Sequence, residues 1–332
     1  MNVLFLGGSN TWGAGADNYS SSYAGLTAAY LENRFPGAKV CNTAISGTGT
    51  RLCAFQIDRL VEETNPDIAF IEYSINDSGL ALTDENQVLA DTEYVVRSIL
   101  NHNPRTYILI LMFAKQDFKS CAATHRKIAE HYGLDFIELQ EPMREKTRNA
   151  EIWSDYFVDS VHPNSRGYQF YFERIKAFLE SKSDAELTRT SPIPEHYIAP
   201  IYTAPRMVEA SELLKNPIWT RTTYRDVKYW DSVYIYNYLH CNTPGVPAEF
   251  TFTGHTFGLY HLVRNDCGKL RITVDGTEHI LDCYYNCDGD FVSFFNLYDL
   301  EQGEHTVSIT LLDEHNEKGI GITAGIYGFL ID

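Results

Sequence analysis

The chain has 332 residues, 44% of them hydrophobic and 21% charged, with 27 basic against 44 acidic side chains and a net charge of −17. That composition suits one large or two ordinary globular domains and argues against disorder. A field of that sign argues against nucleic acid and anionic membranes as partners. No apolar run approaches the ~20 residues of a membrane span. Met1 is followed at once by a strand the fold needs, with no basic region or cleavage site, so no signal peptide is expected. Seven cysteines, an odd number scattered along the chain, suggest free thiols in a reducing compartment and a cytoplasmic location.

From the start to about Lys182, strand and helix patterns alternate. Residues 3–6 read as a first strand that runs into Gly7 and Gly8. Residues 23–34 read as a helix stopped by Pro36-Gly37, and 39–41 as a short second strand. Residues 51–63 place Leu52, Phe55, Ile57, Leu60 and Val61 near helical spacing, and Asn65-Pro66 ends them. A third strand at 67–73, a helix at 91–101, a strongly apolar fourth strand at 107–113, a helix at 121–131, a fifth strand at 135–139 and a closing helix at 165–180 follow. Such alternation predicts an α/β fold, a three-layer α/β/α sandwich around a five-stranded parallel, flavodoxin-like sheet.

The texture then changes. Residues 183–205 carry Pro192, Pro194, Pro200 and Pro205 and read as a linker wrapping over the surface. From about 206 to 332 short strands and turn signals dominate. Residues 229–238 alternate with period 2, and Asp275-Gly276 between two strand runs signals a hairpin. An antiparallel β-sandwich is the expected second domain. The predicted division is therefore 1–182, a linker at 183–205, and 206–332.

Four polar segments carry candidate chemistry. Ser9 stands where the first strand turns, at the carboxyl edge of the expected sheet, where open α/β sheets bind ligands. A serine hydroxyl is a poor nucleophile until a base takes its proton. Asp159 and His162, three apart just before the last helix, can supply that base and the carboxylate that orients it. Asn42 through Gly49 follows the second strand, and a glycine there can offer a backbone N–H to an oxyanion. Asn76, after the third strand, can offer its amide to the same oxyanion.

These blocks resemble the SGNH (GDSL) hydrolase superfamily of esterases and lipases. Gly7-Gly8-Ser9-Asn10 resembles its first block, Asn42 through Gly47 the second, Ser74 through Asp77 the third and Asp159 through His162 the fourth. The resemblance implies a triad of Ser9, Asp159 and His162, with the Ser9 and Gly47 N–H groups and the Asn76 amide forming an oxyanion hole. It implies no cofactor. Gly8 stands where the commonest form of the family has Asp, and Ser74 where it often has Gly; neither replaces a residue that does chemistry.

The second part resembles the jelly-roll modules that accompany some carbohydrate esterases of this superfamily, through Phe252-Thr253-Gly254, Gly258-Leu259-Tyr260, the Val274-Asp275-Gly276 turn and Gly303-Glu304-His305. Its aromatic residues, among them Trp219, Tyr229, Trp230, Tyr284 and Tyr285, either stack on sugar rings or fill a core. Cys283 and Cys287 have the gap of a zinc pair, but no second tight pair accompanies them. Asp266 and Asp288 lie in loops without the spacing calcium requires. The expected function is hydrolysis of short acyl esters, acetyl above all, on a carbohydrate or small molecule. The alternatives are acyl transfer by the same triad, a lipase or thioesterase, and a non-catalytic carbohydrate-binding protein.

Overall fold

Apolar runs become the three inner strands of the first sheet, and shorter segments with polar ends become its two edge strands. In the computed structural model, which describes residues 1–78, 84–148, 151–225, 235–289, 291–297 and 300–332, β1 (Asn2–Gly7), β2 (Lys39–Asn42), β3 (Ile68–Glu72), β4 (Tyr107–Met112) and β5 (Asp135–Glu138) pair in the order β2-β1-β3-β4-β5. All four pairings are parallel. β3 and β4 are buried at every position, as a parallel sheet covered on both faces requires.

The helices are α1 (Ser9–Trp12), α2 (Tyr23–Arg34), α3 (Thr50–Ala54), α4 (Ile57–Thr64), α5 (Glu85–His102), α6 (Ala122–Tyr132), α7 (Gln140–Arg148) and α8 (Ser165–Glu180). Stacked Phe5 and Phe70 lie in the core, with ring centroids 4.6 Å apart, and Tyr23 meets Phe113 edge-on at 4.7 Å. The chain leaves β1 for β2, then returns across β1 to β3. That reversal opens a crevice at the carboxyl ends of β1 and β3, the switch point at which such sheets bind ligands.

The short helices α1 and Ala210–Leu213 carry no periodic signal, and three longer segments also differ from the expected helices. The helix expected at 51–63 is two helices, broken at Phe55-Gln56. At the break Gln56 N–H turns back to the Cys53 carbonyl at 2.9 Å, a tighter bond than the α-helical one, and Leu60 N–H bonds the Gln56 carbonyl at 3.0 Å to start the second helix. α5 starts six residues earlier than expected, because Asp84 caps it through the Asn86 N–H and Val88 and Leu89 are buried. α7 was not foreseen; Met143 is its only buried residue, so it carries almost no apolar period.

The chain divides into two compact units, Met1–Ile201 and Tyr202–Asp332. Residues 183–201, expected as part of a linker, group with the first. There Arg189 N–H bonds the Arg105 carbonyl at 3.0 Å, and the N–H groups of Tyr197 and Ile198 donate to the buried Glu93 carboxylate at 2.6 and 3.1 Å.

The second unit contains β6 (Arg206–Glu209), α9 (Ala210–Leu213), β7 (Thr220–Arg225), β8 (Ile235–Cys241), β9 (Ala248–Gly254), β10 (Phe257–Val263), β11 (Gly268–Val274), β12 (Thr277–Asp282), β13 (Phe291–Leu297), β14 (Gly303–His315) and β15 (Ala324–Ile331). One antiparallel sheet runs β13-β10-β15-β8-β7, with β6 also on β15; the other runs β12-β11-β14-β9. β9 buries alternate residues, and its Phe250 and Phe252 pack on Phe329 and Phe257 of the other sheet at 4.4 and 5.4 Å. That interleaving is the core of a sandwich. The β11–β12 turn has φ of 48° at Asp275 and 84° at Gly276, both positive as a two-residue type I′ hairpin demands.

Of the aromatic candidates, Trp219 is buried, Tyr284 is half-buried and Tyr285 is exposed. Tyr229, Trp230 and the start of the alternating run at 229–238 lie outside the described residues. All seven cysteines are free. Among the described residues, no cluster of three His, Cys, Asp or Glu could hold a metal, and no helix is long and apolar enough to cross a membrane.

Leu109 is fully buried in β4, between β3 and β5 of the first sheet. Leu109→Ala is expected to lower stability by about 2–5 kcal/mol, the usual cost of such a cavity, as read from urea unfolding.

Candidate active site

The first block forms because β1 cannot continue past Gly7. Gly8 takes φ −91° and ψ −149°, and α1 begins at Ser9. A Cβ at Gly8 would lie 2.4 Å from Asn76 Oδ1, so a side chain there would have to displace the Asn76 amide. The Asn76 amide therefore lies directly against the backbone that presents Ser9. The first N–H groups of a helix have no acceptor within it, so the Ser9 N–H is available to a ligand.

Ser9, Asp159 and His162 come together across 153 residues of sequence. His162 Nε2 lies 2.8 Å from Ser9 Oγ, and His162 Nδ1 lies 2.7 Å from Asp159 Oδ2. A carboxylate only accepts, so Nδ1 carries the ring proton and Nε2 is left to accept from the serine hydroxyl. Asp159 Oδ1 also accepts the Val161 and His162 N–H groups, each at 2.7 Å. Partial burial raises the Asp159 pKa, but the His162 ring and these N–H groups outweigh it and hold the carboxyl below its ordinary value.

The loop that carries His162 is braced on several sides. Val158 N–H bonds the His162 carbonyl at 2.9 Å, and Phe157 bridges Pro163. Trp153 donates its indole N–H to the Asp159 carbonyl at 2.6 Å, and Gln116 N–H bonds the Ser160 carbonyl at 2.9 Å. The stretch after Ser9 is tied to the same region. Tyr168 of α8 donates to the Ala14 carbonyl at 2.7 Å, and Asp17 exchanges hydrogen bonds with Ser165.

Gly47 sits in the loop after β2 with φ 77°, a left-handed conformation that favours glycine. Ile45 N–H bonds the Gly7 carbonyl at 3.1 Å on one side of it. On the other, Thr50 donates its N–H and its hydroxyl to the Asp77 carboxylate at 2.9 and 2.8 Å. Asp77 follows Asn76, so one buried carboxylate couples the loop of Gly47 to the loop of Asn76. His125 of α6 closes the network with Nε2 at 2.8 Å from Asp77 Oδ2. Among the described residues, the buried His125 Nδ1 has no hydrogen-bond partner.

Asp77 could be seen in the third block, but nothing near His125 in sequence marks its part. Thr11, Tyr23 and Glu72 were missed in the same way. Thr11 of α1 donates to Glu72 Oε2 at 3.2 Å and shares a hydrogen bond with the Tyr23 hydroxyl at 2.7 Å, which seats α1 over β3. Glu72 is fully buried, and its Oε1 has no partner among the described residues. Burial pushes its carboxyl well above the carboxylate range. The groups that act on it electrostatically are Thr11, Asp77 and the tyrosines at 23, 73, 168 and 171, none of them basic.

A family model described as the GDSL-like lipase/acylhydrolase family matches residues 5–170, half of the chain. Two solved structures share the fold of the whole chain. One is a two-domain esterase (CEX) active on acetylated mannans, with a TM-score of 0.77; the other is that esterase co-crystallised with mannopentaose, at 0.79. Each is 18% identical, covers 100% of this chain and is itself covered to 91% and 90% respectively. No curated protein matches the chain by sequence.

Glu72 gives a pH prediction. In the unfolded chain its carboxyl ionises near the ordinary glutamate value of about 4.5, while the folded protein keeps the proton to higher pH. The folded state then binds more protons, so this group costs stability as pH rises above that value. Glu72→Gln, an isostere of the neutral acid, removes the cost. Its stability relative to wild type should rise between pH 5 and pH 8 in urea titrations; a gap that stays constant would contradict a neutral Glu72.

Proposed function

Because the chain belongs to the GDSL-like lipase/acylhydrolase family and is a carboxylic ester hydrolase, we propose that Ser9 is its nucleophile, His162 the general base and Asp159 the residue that orients it. The observation that carries this reading is the unbroken hydrogen-bond chain from Ser9 Oγ through His162 to Asp159, at 2.8 and 2.7 Å.

The steps follow from that chain. His162 Nε2 takes the Ser9 proton as Oγ attacks the ester carbonyl. The carbonyl oxygen becomes an oxyanion held by the Ser9 and Gly47 N–H groups and the Asn76 amide, donors preset before charge develops. His162 then returns the proton to the departing alcohol, leaving an acyl group on Ser9. A water, deprotonated by the same ring, releases the acid and restores the hydroxyl. The ionised Asp159 keeps the ring in the tautomer these steps need and stabilises its charged form.

We further propose that the acyl group is short, most simply acetyl, and that the alcohol is a carbohydrate. The two-domain esterase of the same fold, described as active on acetylated mannans, supports that choice, as does the β-sandwich that follows the catalytic unit.

The test is turnover of p-nitrophenyl acetate, butyrate and octanoate. Activity should fall steeply with chain length. Ser9→Ala should lower kcat by about ten-thousand-fold or more, and Asn76→Ala by roughly 10²- to 10³-fold. Full activity in a folded Ser9→Ala protein would rule out the mechanism.

A further inference from the structure

Between the loops of Gly47 and Asn76 lies a polar cluster that the catalytic steps above do not use. Thr50, Asp77 and His125 are all fully buried. The Asp77 carboxylate accepts three hydrogen bonds there. The Thr50 N–H reaches Oδ1 at 2.9 Å, and the Thr50 hydroxyl and His125 Nε2 each reach Oδ2 at 2.8 Å. A carboxylate only accepts, so the ring donates. A charge out of water needs its oxygens satisfied in this way. Among the described residues, Asp77 is the one hydrogen-bond partner of the His125 ring.

Each of the two loops is closed on itself, so a shift at one end carries the oxyanion donor with it. The Thr48 hydroxyl donates to the Ile45 carbonyl at 2.8 Å across the turn of Gly47, and Thr50 follows two residues later. The Asp77 N–H bonds the Tyr73 carbonyl at 3.0 Å, closing the turn that holds Asn76. Thr50 and Asp77 link the loops to each other, but by themselves they would let both drift together. His125 belongs to neither loop. It stands on α6, which is rooted in the core by the fully buried Ile128 and Ala129. Just before α6, the Cys121 N–H bonds the Ser74 carbonyl at 2.8 Å, a second tie to the loop of Asn76.

We propose that His125 is a positioning residue for ester hydrolysis: through Asp77 it fixes the Gly47 N–H and the Asn76 amide relative to each other, so that the two donors act on the oxyanion as one unit. This role rests on the oxyanion hole proposed above. The oxyanion exists only in the transition state and the tetrahedral intermediate, so a loss of alignment shows in kcat and leaves substrate binding alone. A displacement of order 1 Å can cost about 10²-fold in rate.

The test is turnover of p-nitrophenyl acetate by His125→Leu in two backgrounds, wild type and Asn76→Ala. In wild type, His125→Leu should lower kcat and kcat/KM together by about tenfold to a hundredfold, with KM held within about twofold. His125→Gln, whose amide N–H can stand where Nε2 stands, should recover most of that rate. With Asn76 already alanine the unit is broken, so His125→Leu should cost a further factor of only about three or less. A merely structural role would give the same fold loss in both backgrounds. Thr50→Val removes another of the three bonds and should also cost less in Asn76→Ala than in wild type; it decides the matter should His125→Leu fail to fold. Equal losses in the two backgrounds, a rise in KM at constant kcat, no recovery with glutamine, or full activity in folded His125→Leu would each overturn the role of His125. Full activity in Asn76→Ala would instead overturn the oxyanion-hole assignment, whatever His125 does.

Discussion

One imidazole ring has to meet a carboxylate on one edge and a hydroxyl on the other, and the two partners stand on loops 150 residues apart in the chain. Hydrogen bonds weaken steeply with angle and distance, so everything around His162 serves to hold those loops in place. The parallel sheet does the first part of this. It sends the chain from β1 to β2 and back to β3, so three strand ends deliver Ser9, the loop of Gly47 and Asn76 to one crevice. α8, which follows His162 directly, brings the fourth loop to the same place through Tyr168 and Ser165.

Those loops have little stability of their own. α1 is four residues long, far below the length at which a helix holds itself. What fixes it is buried polar contact: Asn42 Nδ2 on the Thr11 carbonyl at 2.9 Å, and Thr11 on Glu72 and Tyr23. Asp77 does the same for the loops of Gly47 and Asn76 through Thr50 and His125. Such networks are costly to leave half satisfied, which restricts the loops to one arrangement. A polar layer under the crevice therefore preorganises the site, while the apolar layer beneath it supplies the stability.

Much of this was legible in the sequence, and the rest was not for identifiable reasons. The inner strands of the first sheet stood out because 107–113 and its like are apolar on both faces, and α2 and α8 match their expected bounds because Ser22 and Asn164 cap them. Ser9, Asn76, Asp159 and His162 were visible because each lies in a short segment beside a strand end or helix start. Asn42 through Gly47 was visible for the same reason, although which glycine would serve rested on the family resemblance. His125 and Glu72 were hidden. Both lie within ordinary periodic elements, and only the fold brings them beneath the crevice. α7 was hidden because it buries one side chain, and the division at Ile201 because residues 183–201 hold to the first unit by hydrogen bonds that leave no periodic trace. β6 and β7 were missed as well; each is a short strand outside any strong alternation.

The central claim is that Ser9 is a nucleophile activated by His162. Covalent trapping tests it most directly. Protein treated with ethyl p-nitrophenyl phosphonate would be digested and mapped by mass spectrometry. The account predicts a single phosphonyl adduct on the peptide that contains Ser9, with its formation slowed about a thousandfold or more in His162→Ala. An adduct on another residue with Ser9 unmodified, or labelling of Ser9 at the same rate without His162, would contradict it.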